Sequence, residues 1–379
     1  MRDSPAGLDL RDRLLSVIEH GADSALAEAE FSRLAHDVFA FQYALNPIYR
    51  SYCDARGTAP DGIATWRDIP AVPTEAFKVA PLVCGDPGAA EAVFRTSGTT
   101  GGAARRGTHY LLDTGLYRAA LRAGFRARLL PDADSLPIGS LIPPPADAAD
   151  SSLSFMIGDV VETFGAEGSG FHVGGGSLRL DAFLAFAERA ATRATPVMVV
   201  GTSFAFVHLL DGLAETGADL HLPPGSRVMD TGGFKGRSRE IGRDELYEMI
   251  ERGLGVPGRY IVNEYGMTEM SSQLYDGVAG RAAPVGEPRR HSGPAWLRTV
   301  VVDPETLRPV PDGQTGILRH YDLANLHSVM AIQAADLGRV TAGEIELLGR
   351  APLAESRGCS IAMDDLLQVM NDRPSSPPG

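Results

Sequence analysis

Apolar positions recur at helical spacing over residues 8–20 (Leu10, Leu14, Leu15, Ile18) and 25–45 (Leu34, Val38, Phe39, Phe41), which predicts two N-terminal helices. Asn46-Pro47 is expected to end the second, because proline drives the preceding residue out of the helical region. Residues 57–90 are rich in Gly and Pro and predict irregular chain, extended at Ile69-Pro70 and Val72-Pro73. From about residue 91 the pattern alternates. Short β-type runs (Ala92 to Phe94, Ile138 to Ile142, Pro196 to Gly201, 226–230, 259–263) are separated by helical patterns at 114–130, 151–163, 179–193, 203–215 and 238–252. This alternation predicts a layered α/β core around a largely parallel sheet. After Tyr275 the texture changes. Leu297 to Val302, Gly316 to Tyr321, Ser328 to Ile332 and Glu344 to Leu348 read as short strands divided by turns such as Pro311-Asp312-Gly313, an antiparallel β subdomain. Asn371 to Gly379, rich in Pro and Ser, predicts disorder.

Composition narrows the function classes. The chain has 379 residues, 44% apolar and 22% charged, with a formal net charge of -13. Such an acidic balance disfavours nucleic-acid binding, which requires a basic surface. The most apolar stretch, Pro196 to Leu210, is broken by Gly201, Thr202, Ser203 and His208, so no membrane span is expected. The N-terminus lacks an apolar signal core. Cysteine occurs at Cys53, Cys84 and Cys359, too sparsely for a disulfide scaffold and without metal-ligand spacing. The expectation is a soluble, cytoplasmic protein. Lysine occurs only at Lys78 and Lys235, which leaves few places for any chemistry that requires it.

Several familiar sites are missing. Neither lysine lies in a Walker phosphate loop, and Gly168-Ser169-Gly170 lacks the sixth-position glycine of a dinucleotide fingerprint, since Val173 stands there. There is no Gly-x-Ser-x-Gly and no His-Glu-x-x-His. His172 and His208 lie among apolar residues and suit a core or pocket wall. What remains is Thr96-Ser97-Gly98-Thr99-Thr100-Gly101-Gly102, directly after a predicted strand. Glycines let backbone N–H groups approach an anion, and the hydroxyls add donors, so the run is a candidate phosphate cradle; a plain solvent-exposed loop has the same composition. The second run is Asn263-Glu264-Tyr265-Gly266-Met267-Thr268-Glu269, at the carboxyl end of a predicted strand, where open α/β sheets place ligands. Glu269 could hold Mg²⁺, although a carboxylate here also suits a helix start.

Together the two runs resemble the adenylate-forming superfamily of acyl-CoA synthetases, adenylation domains and luciferase-type ligases. Thr96 to Gly101 matches its Thr-Ser-Gly-Thr-Thr-Gly loop, and Tyr265 to Glu269 its Tyr-Gly-x-Thr-Glu motif. Gly232-Gly233 stands where that family keeps a Gly-Gly against adenine. Asp336 stands where its ribose-binding Asp lies, though Ala334-Ala335 replaces the usual Thr-Gly, and Arg350 follows at the family's spacing. A narrower resemblance runs through Ile69-Pro70-Ala71-Val72-Pro73 with Phe77-Lys78, Ser151 to Met156, Gly232 to Lys235, Asn263 to Glu269 with Ser271-Ser272-Gln273, and Arg357-Gly358-Cys359-Ser360. These look like the acyl-protein synthetases of bacterial bioluminescence (the LuxE type), close to phenylacetate-CoA ligase, over roughly residues 40–365.

The resemblance implies a large αβαβα domain with an appended antiparallel β subdomain and no C-terminal lid domain. The expected divisions are 1–90, 91–275, 276–350 and 351–379. It implies ATP and Mg²⁺, and a carboxylic acid converted to acyl-AMP and then passed to a thiol: a cysteine of this chain, CoA, or a carrier or reductase partner. Thr96, Ser97, Gly98, Thr99, Thr100 and Gly101 would hold the β/γ phosphates, Thr268 the α-phosphate, Glu269 the metal and Asp336 the ribose. Gly232, Gly233, Asn263, Glu264, Tyr265, Gly266, Met267 and Arg350 would complete the nucleotide site. Full-length superfamily members use a lid lysine; Lys235 is the first candidate to replace it and Lys78 the second. Cys359 would carry the acyl group, with Arg357 favouring its thiolate. Phe155, Phe204, Phe206 and His208 are candidates for the acyl pocket. Two other readings stay open: an amide- or ester-forming enzyme without a thioester, and a nucleotide-binding partner protein that has lost catalysis.

Overall fold

A computed structural model of the chain describes residues 5–96, 106–218, 220–232 and 241–351. The chain opens with helices α1 (Pro5–Glu19), α2 (Glu28–Leu45) and α3 (Pro47–Ala55). Strands β1 (Val72–Pro73), β2 (Ala92–Arg95) and β3 (Thr108–Leu111) follow, then α4 (Gly115–Leu129), β4 (Ile138–Ser140) and α5 (Ser152–Phe164). Next come β5 (Gly170–Phe171), β6 (Val173–Gly174), β7 (Ser177–Leu178), α6 (Leu180–Arg193), β8 (Met198–Thr202) and α7 (Ser203–Thr216). The remainder holds β9 (Arg227–Thr231), α8 (Arg243–Leu254), β10 (Ile261–Tyr265), β11 (Leu274–Tyr275), β12 (Leu297–Val302), β13 (Gly316–Asp322), β14 (Ala331–Thr341) and β15 (Glu344–Arg350). Contacts sort the chain into two compact units. Of the described residues, one comprises those through Ala120, Thr268–Ser272 and those from Gly293 on; the other comprises those from Leu121 to Met267 and Gln273–Ser292.

The second unit carries the parallel sheet, in the order β11-β10-β9-β8-β4-β5, with only the edge strand β11 antiparallel. Met198, Val199 and Val200 of β8 are fully buried, as expected of a strand with both sheet faces covered. Val199, Val228 and Ile261 share one core with Phe183, Phe186 and Phe206. Helix α7 begins where β8 stops because the Thr202 hydroxyl caps it, accepting from the Ala205 N–H at 3.2 Å.

In the first unit β12, β13 and β14 form a consecutive antiparallel sheet. The far edge of β14 is shared. β1 lies parallel beside Ile332 and Gln333, and β15 lies antiparallel from Asp336 onward. Helix α2 buries Phe31, Leu34, Val38 and Phe39 and also the polar Gln42. The Gln42 amide donates to the carbonyls of Asn325 (2.8 Å) and Leu326 (3.0 Å), and its oxygen accepts from the Met330 N–H (3.0 Å). Among the described residues no helix is long and apolar enough to cross a membrane.

Most expected elements are present with shifted ends; β3, β5, β6, β7 and β11 were not expected, and three places are instructive. Asn46-Pro47 ends α2 but also starts α3: Asn46 accepts from the Tyr49 N–H (3.0 Å) and Pro47 occupies the first helical position, where its missing N–H costs nothing. Strand β3 was hidden because its Thr-His-Tyr-Leu alternation is too short to show a period. The strand expected from Ser328 starts at Ala331 and runs through Asp336 to Thr341. Replacing Gln42 by Leu should strand two buried carbonyls and one N–H and cost about 2–3 kcal/mol, roughly the penalty for unsatisfied buried groups; a shift in the urea unfolding midpoint measures it.

Candidate active site

In the second unit the carboxyl ends of β8, β9 and β10 lie side by side, with Thr202 paired to Thr231 and Thr231 to Glu264. Register alone therefore brings Asn263 beside Asp230. The Asn263 amide donates to the Asp230 carboxylate (2.9 Å) and its oxygen faces His291 Nε2 (2.9 Å). Its backbone N–H donates to Asp276 (2.7 Å), which is paired with the buried Arg289. The Asn263 side chain is thus committed to holding strand ends. Ser203 donates to Asp230 (2.8 Å) and to the Gly232 carbonyl (2.9 Å), and Gly232 has the left-handed φ of +70° that the chain needs to leave β9. Thr231 donates to the Glu264 carboxylate. Burial pushes both Asp230 and Glu264 up to about 7, against the lowering effect of those donors. Tyr265 stands at the strand end with its ring 6.1 Å from that of His291.

The Tyr-Gly-x-Thr-Glu run is divided: Tyr265 to Met267 belong to the second unit, Thr268 and Glu269 to the first. There, three residues that no motif had marked hold the segment. The buried Asp322 accepts from the N–H groups of Ser271 and Ser272 (both 2.9 Å) and from the Ser272 hydroxyl (2.7 Å). Asn325 donates to the Glu269 carbonyl (2.9 Å), and His109 of β3 meets the Thr268 carbonyl (2.8 Å) and Asn325 (3.0 Å) through its two ring nitrogens. Burial keeps His109 neutral, with a pKa down to about 4. Glu269 is buried, and desolvation lifts it to about 7; Glu75 adds to that, whereas Lys78 and Arg350 oppose it.

Asp336 and Arg350 are cross-strand partners on β14 and β15, 3.7 Å apart. Their spacing in sequence is the length of a hairpin. Thr96 closes the neck of another hairpin: its N–H donates to the Gly107 carbonyl (2.9 Å) and its hydroxyl accepts from the Gly107 N–H (2.8 Å), directly beyond the paired strands β2 and β3. Ser97, Gly98, Thr99, Thr100, Gly101, Gly233, Lys235 and Cys359 lie outside the described residues. Of the four pocket candidates, Phe206 is a core residue, fully buried and packed with Leu141 and Phe186. Phe155 is half-buried; Phe204 is half-buried and packs edge-on against the exposed His208 at 4.4 Å. His172 is buried, with Phe183 and Phe186 against its ring. Cys53 and Cys84 are buried; burial drives the Cys53 thiol up to about 12 and the Cys84 thiol higher, so neither is a nucleophile.

A largely parallel sheet with polar strand ends in one unit and an antiparallel sheet in the other give the chain a fold like that of adenylate-forming ligases. The structure of 2-hydroxyisobutyryl-CoA ligase, solved in an open conformation with 2-HIB-AMP and CoA, superimposes with a TM-score of 0.61 at 16% identity, covering 88% of this chain and 77% of that one. The family described as "Acyl-protein synthetase, LuxE" matches residues 24–368, and the chain belongs to that family. The long-chain-fatty-acid–luciferin-component ligase of Vibrio harveyi is 21% identical over 352 residues, spanning 90% of this chain and 89% of that protein. The same ligase of Aliivibrio fischeri is 22% identical, over 89% and 88%.

The raised carboxylates set a direction for stability against pH. Burial raises Asp230 and Glu264 to about 7 in the folded chain, from ordinary values of 3.8 and 4.5 that hold when it unfolds. Between those limits the folded state holds more protons, so their contribution is complete below about pH 4 and is lost as pH rises through 7. Unfolding free energy should decline from pH 5.5 to 8, and Glu264→Gln should flatten the decline; denaturant titrations at several pH values test this.

Proposed function

We propose that this chain uses ATP to convert a fatty carboxylic acid to its acyl-adenylate and then passes the acyl group to a thiol. The observation that carries this reading is Glu269. Its carboxylate is out of water and has no side-chain hydrogen-bond partner among the described residues, yet it lies in the field of Lys78 and Arg350. Such a group is suited to a cation that arrives with substrate. Among the described residues no set of three His, Cys, Asp or Glu could hold a metal. Magnesium needs no such set, because it keeps waters and shares phosphate oxygens beside one or two carboxylates; Glu269 fits that requirement. When bound there, the ion would offset charge on the phosphate oxygens.

In the first step an oxygen of the acid attacks the α-phosphorus, the bond from that phosphorus to the bridging oxygen breaks, and pyrophosphate leaves with the electron pair. Positioning and charge dominate such a step. Thr96 and the residues through Gly101 would hold the β/γ phosphates, Thr268 the α-phosphate, and Asp336 the ribose hydroxyls, a natural role for a two-oxygen acceptor. Gly232, Gly233, Tyr265 and its neighbours would frame the adenine. Phe155, Phe204 and His208 are the remaining candidates for the acyl chain. In the second step a thiolate attacks the acyl carbon and AMP departs. Cys359 is our choice for that thiol, since the other two are buried, with a reductase or carrier protein as the onward acceptor. The same reading puts the reaction in the cytoplasm, where ATP is supplied.

Pyrophosphate exchange across acids of increasing chain length tests the first step. Exchange should appear with long-chain acids, and Glu269→Gln should lower it by about 100-fold, the scale of one lost electrostatic group at a transferring phosphoryl. Mass spectrometry after incubation with ATP and acid tests the second: an adduct is expected on the Cys359 peptide and should be missing in Cys359→Ser.

A further inference from the structure

The reaction requires a cation at the transferring phosphoryl group, and the first unit places one lysine where it can serve. β1 runs parallel to β14 as far as the Pro73–Gln333 pair, and three residues further along the same edge of β14 Asp336 is paired with Arg350. Where β15 takes over that edge, the chain leaves it as the 3₁₀ turn Thr74–Lys78. The turn is anchored by its apolar residues: Ala76 and Phe77 are buried, and the Phe77 ring meets His109 edge-on at 5.9 Å. Phe77 also bears on the neck of the Thr96–Gly107 loop. A Cβ on Gly107 would lie 3.4 Å from the Phe77 Cβ and 3.1 Å from the Thr96 methyl, so the neck is closely packed and the turn lies in contact with it.

Lys78 is therefore tethered on three sides: by β14 near Asp336, by the base of the Gly/Thr loop, and by His109, which holds Thr268. It is half-buried, and among the described residues it has no hydrogen-bond or ion-pair partner. Its charge is felt at the buried Glu269 carboxylate. A half-buried ammonium without a bonded partner, on a turn that packs through Phe77 and His109 toward the segment carrying the buried Glu269, is an arrangement that a bound polyphosphate would complete. A compact ammonium on a flexible stem can follow a point charge that moves during reaction.

We propose that Lys78 is the catalytic cation of the adenylation step, neutralising the phosphoryl oxygens while the α-phosphorus exchanges its bridging oxygen for the carboxylate oxygen. This rests on the acyl-adenylating reading above. The experiment compares the wild-type chain with Lys78→Ala, Lys78→Arg and Lys235→Ala in three measurements: thermal melting, calorimetric ATP binding, and pyrophosphate exchange with the best long-chain acid. Lys78→Ala should melt as wild type, bind ATP about tenfold more weakly, and exchange at least 100-fold more slowly, with partial recovery in Lys78→Arg. If Lys78→Ala itself melts early, Lys78→Gln, which keeps most of the aliphatic stem, carries the comparison. Exchange within threefold of wild type and unchanged ATP affinity would overturn the proposal, as would loss of exchange in Lys235→Ala alone. A wild-type chain that exchanges with no acid would refute the acyl-adenylating reading instead. The ATP arm would still decide whether Lys78 meets phosphate: weaker binding in Lys78→Ala supports the contact, and equal binding overturns it.

Discussion

Asp322 and Asn325, at the end of β13, are taken out of water and answered almost entirely by backbone groups of other segments. Asp322 accepts from the amides of Ser271 and Ser272, and Asn325 donates to the carbonyls of Glu269 and Val329. A buried carboxylate without such donors would be costly, and removing them would leave it stranded. The constraint acts in both directions. The Ser271-Ser272 amides satisfy the acid, and the acid fixes the short segment that carries Thr268 and Glu269. His109 reads the same segment from β3, and Gln42 locks the 325–330 turn from α2. The placement of Glu269 is thus the outcome of a polar network spread over elements far apart in the chain.

The second unit solves a different problem by different means. Its site residues are placed by strand register: parallel strands that stop together bring Thr202, Asp230, Thr231, Asn263 and Glu264 to one edge. Hydrogen bonds from Ser203, Thr231 and Asn263 partly offset the burial of the two acids there, yet both stay near neutrality in their proton affinity. Asp230 accepts from Ser203 and Asn263, and Glu264 from Thr231. Glu269, by contrast, is met by its own backbone N–H and by the charges of Lys78 and Arg350, with no side chain donating to it among the described residues.

Local chemistry made most of the elements legible. Helical and β-type periodicities located the α/β alternation and the antiparallel strands because burial on one or both faces demands those repeats. The Asn46-Pro47 pair ends α2 as expected, and the same proline chemistry also starts α3. Strand β3 was missed because four residues are too few to show a period. Among candidate site residues, Thr96, Glu269, Asp336 and Arg350 could be marked from the two motifs and the spacing. Phe206 could not be told from a pocket residue, since a phenylalanine on a helix has the same pattern in either setting.

What the chain's one-dimensional order determined, therefore, is the set of elements, the two polar runs and the shortage of lysine. Whether Asp336 meets Arg350 was decided by hairpin pairing, and whether Phe206 faces the core by helix packing. Asp322, Asn325 and His109 carry no motif, because their roles come from backbone groups dozens to hundreds of residues away. Lys78 could be marked in the sequence, as one of two lysines, but not placed. Its place follows from an edge strand that ends and from a turn anchored by Phe77, whose ring packs on His109. Each of these is a long-range contact, and sequence spacing carries no record of it.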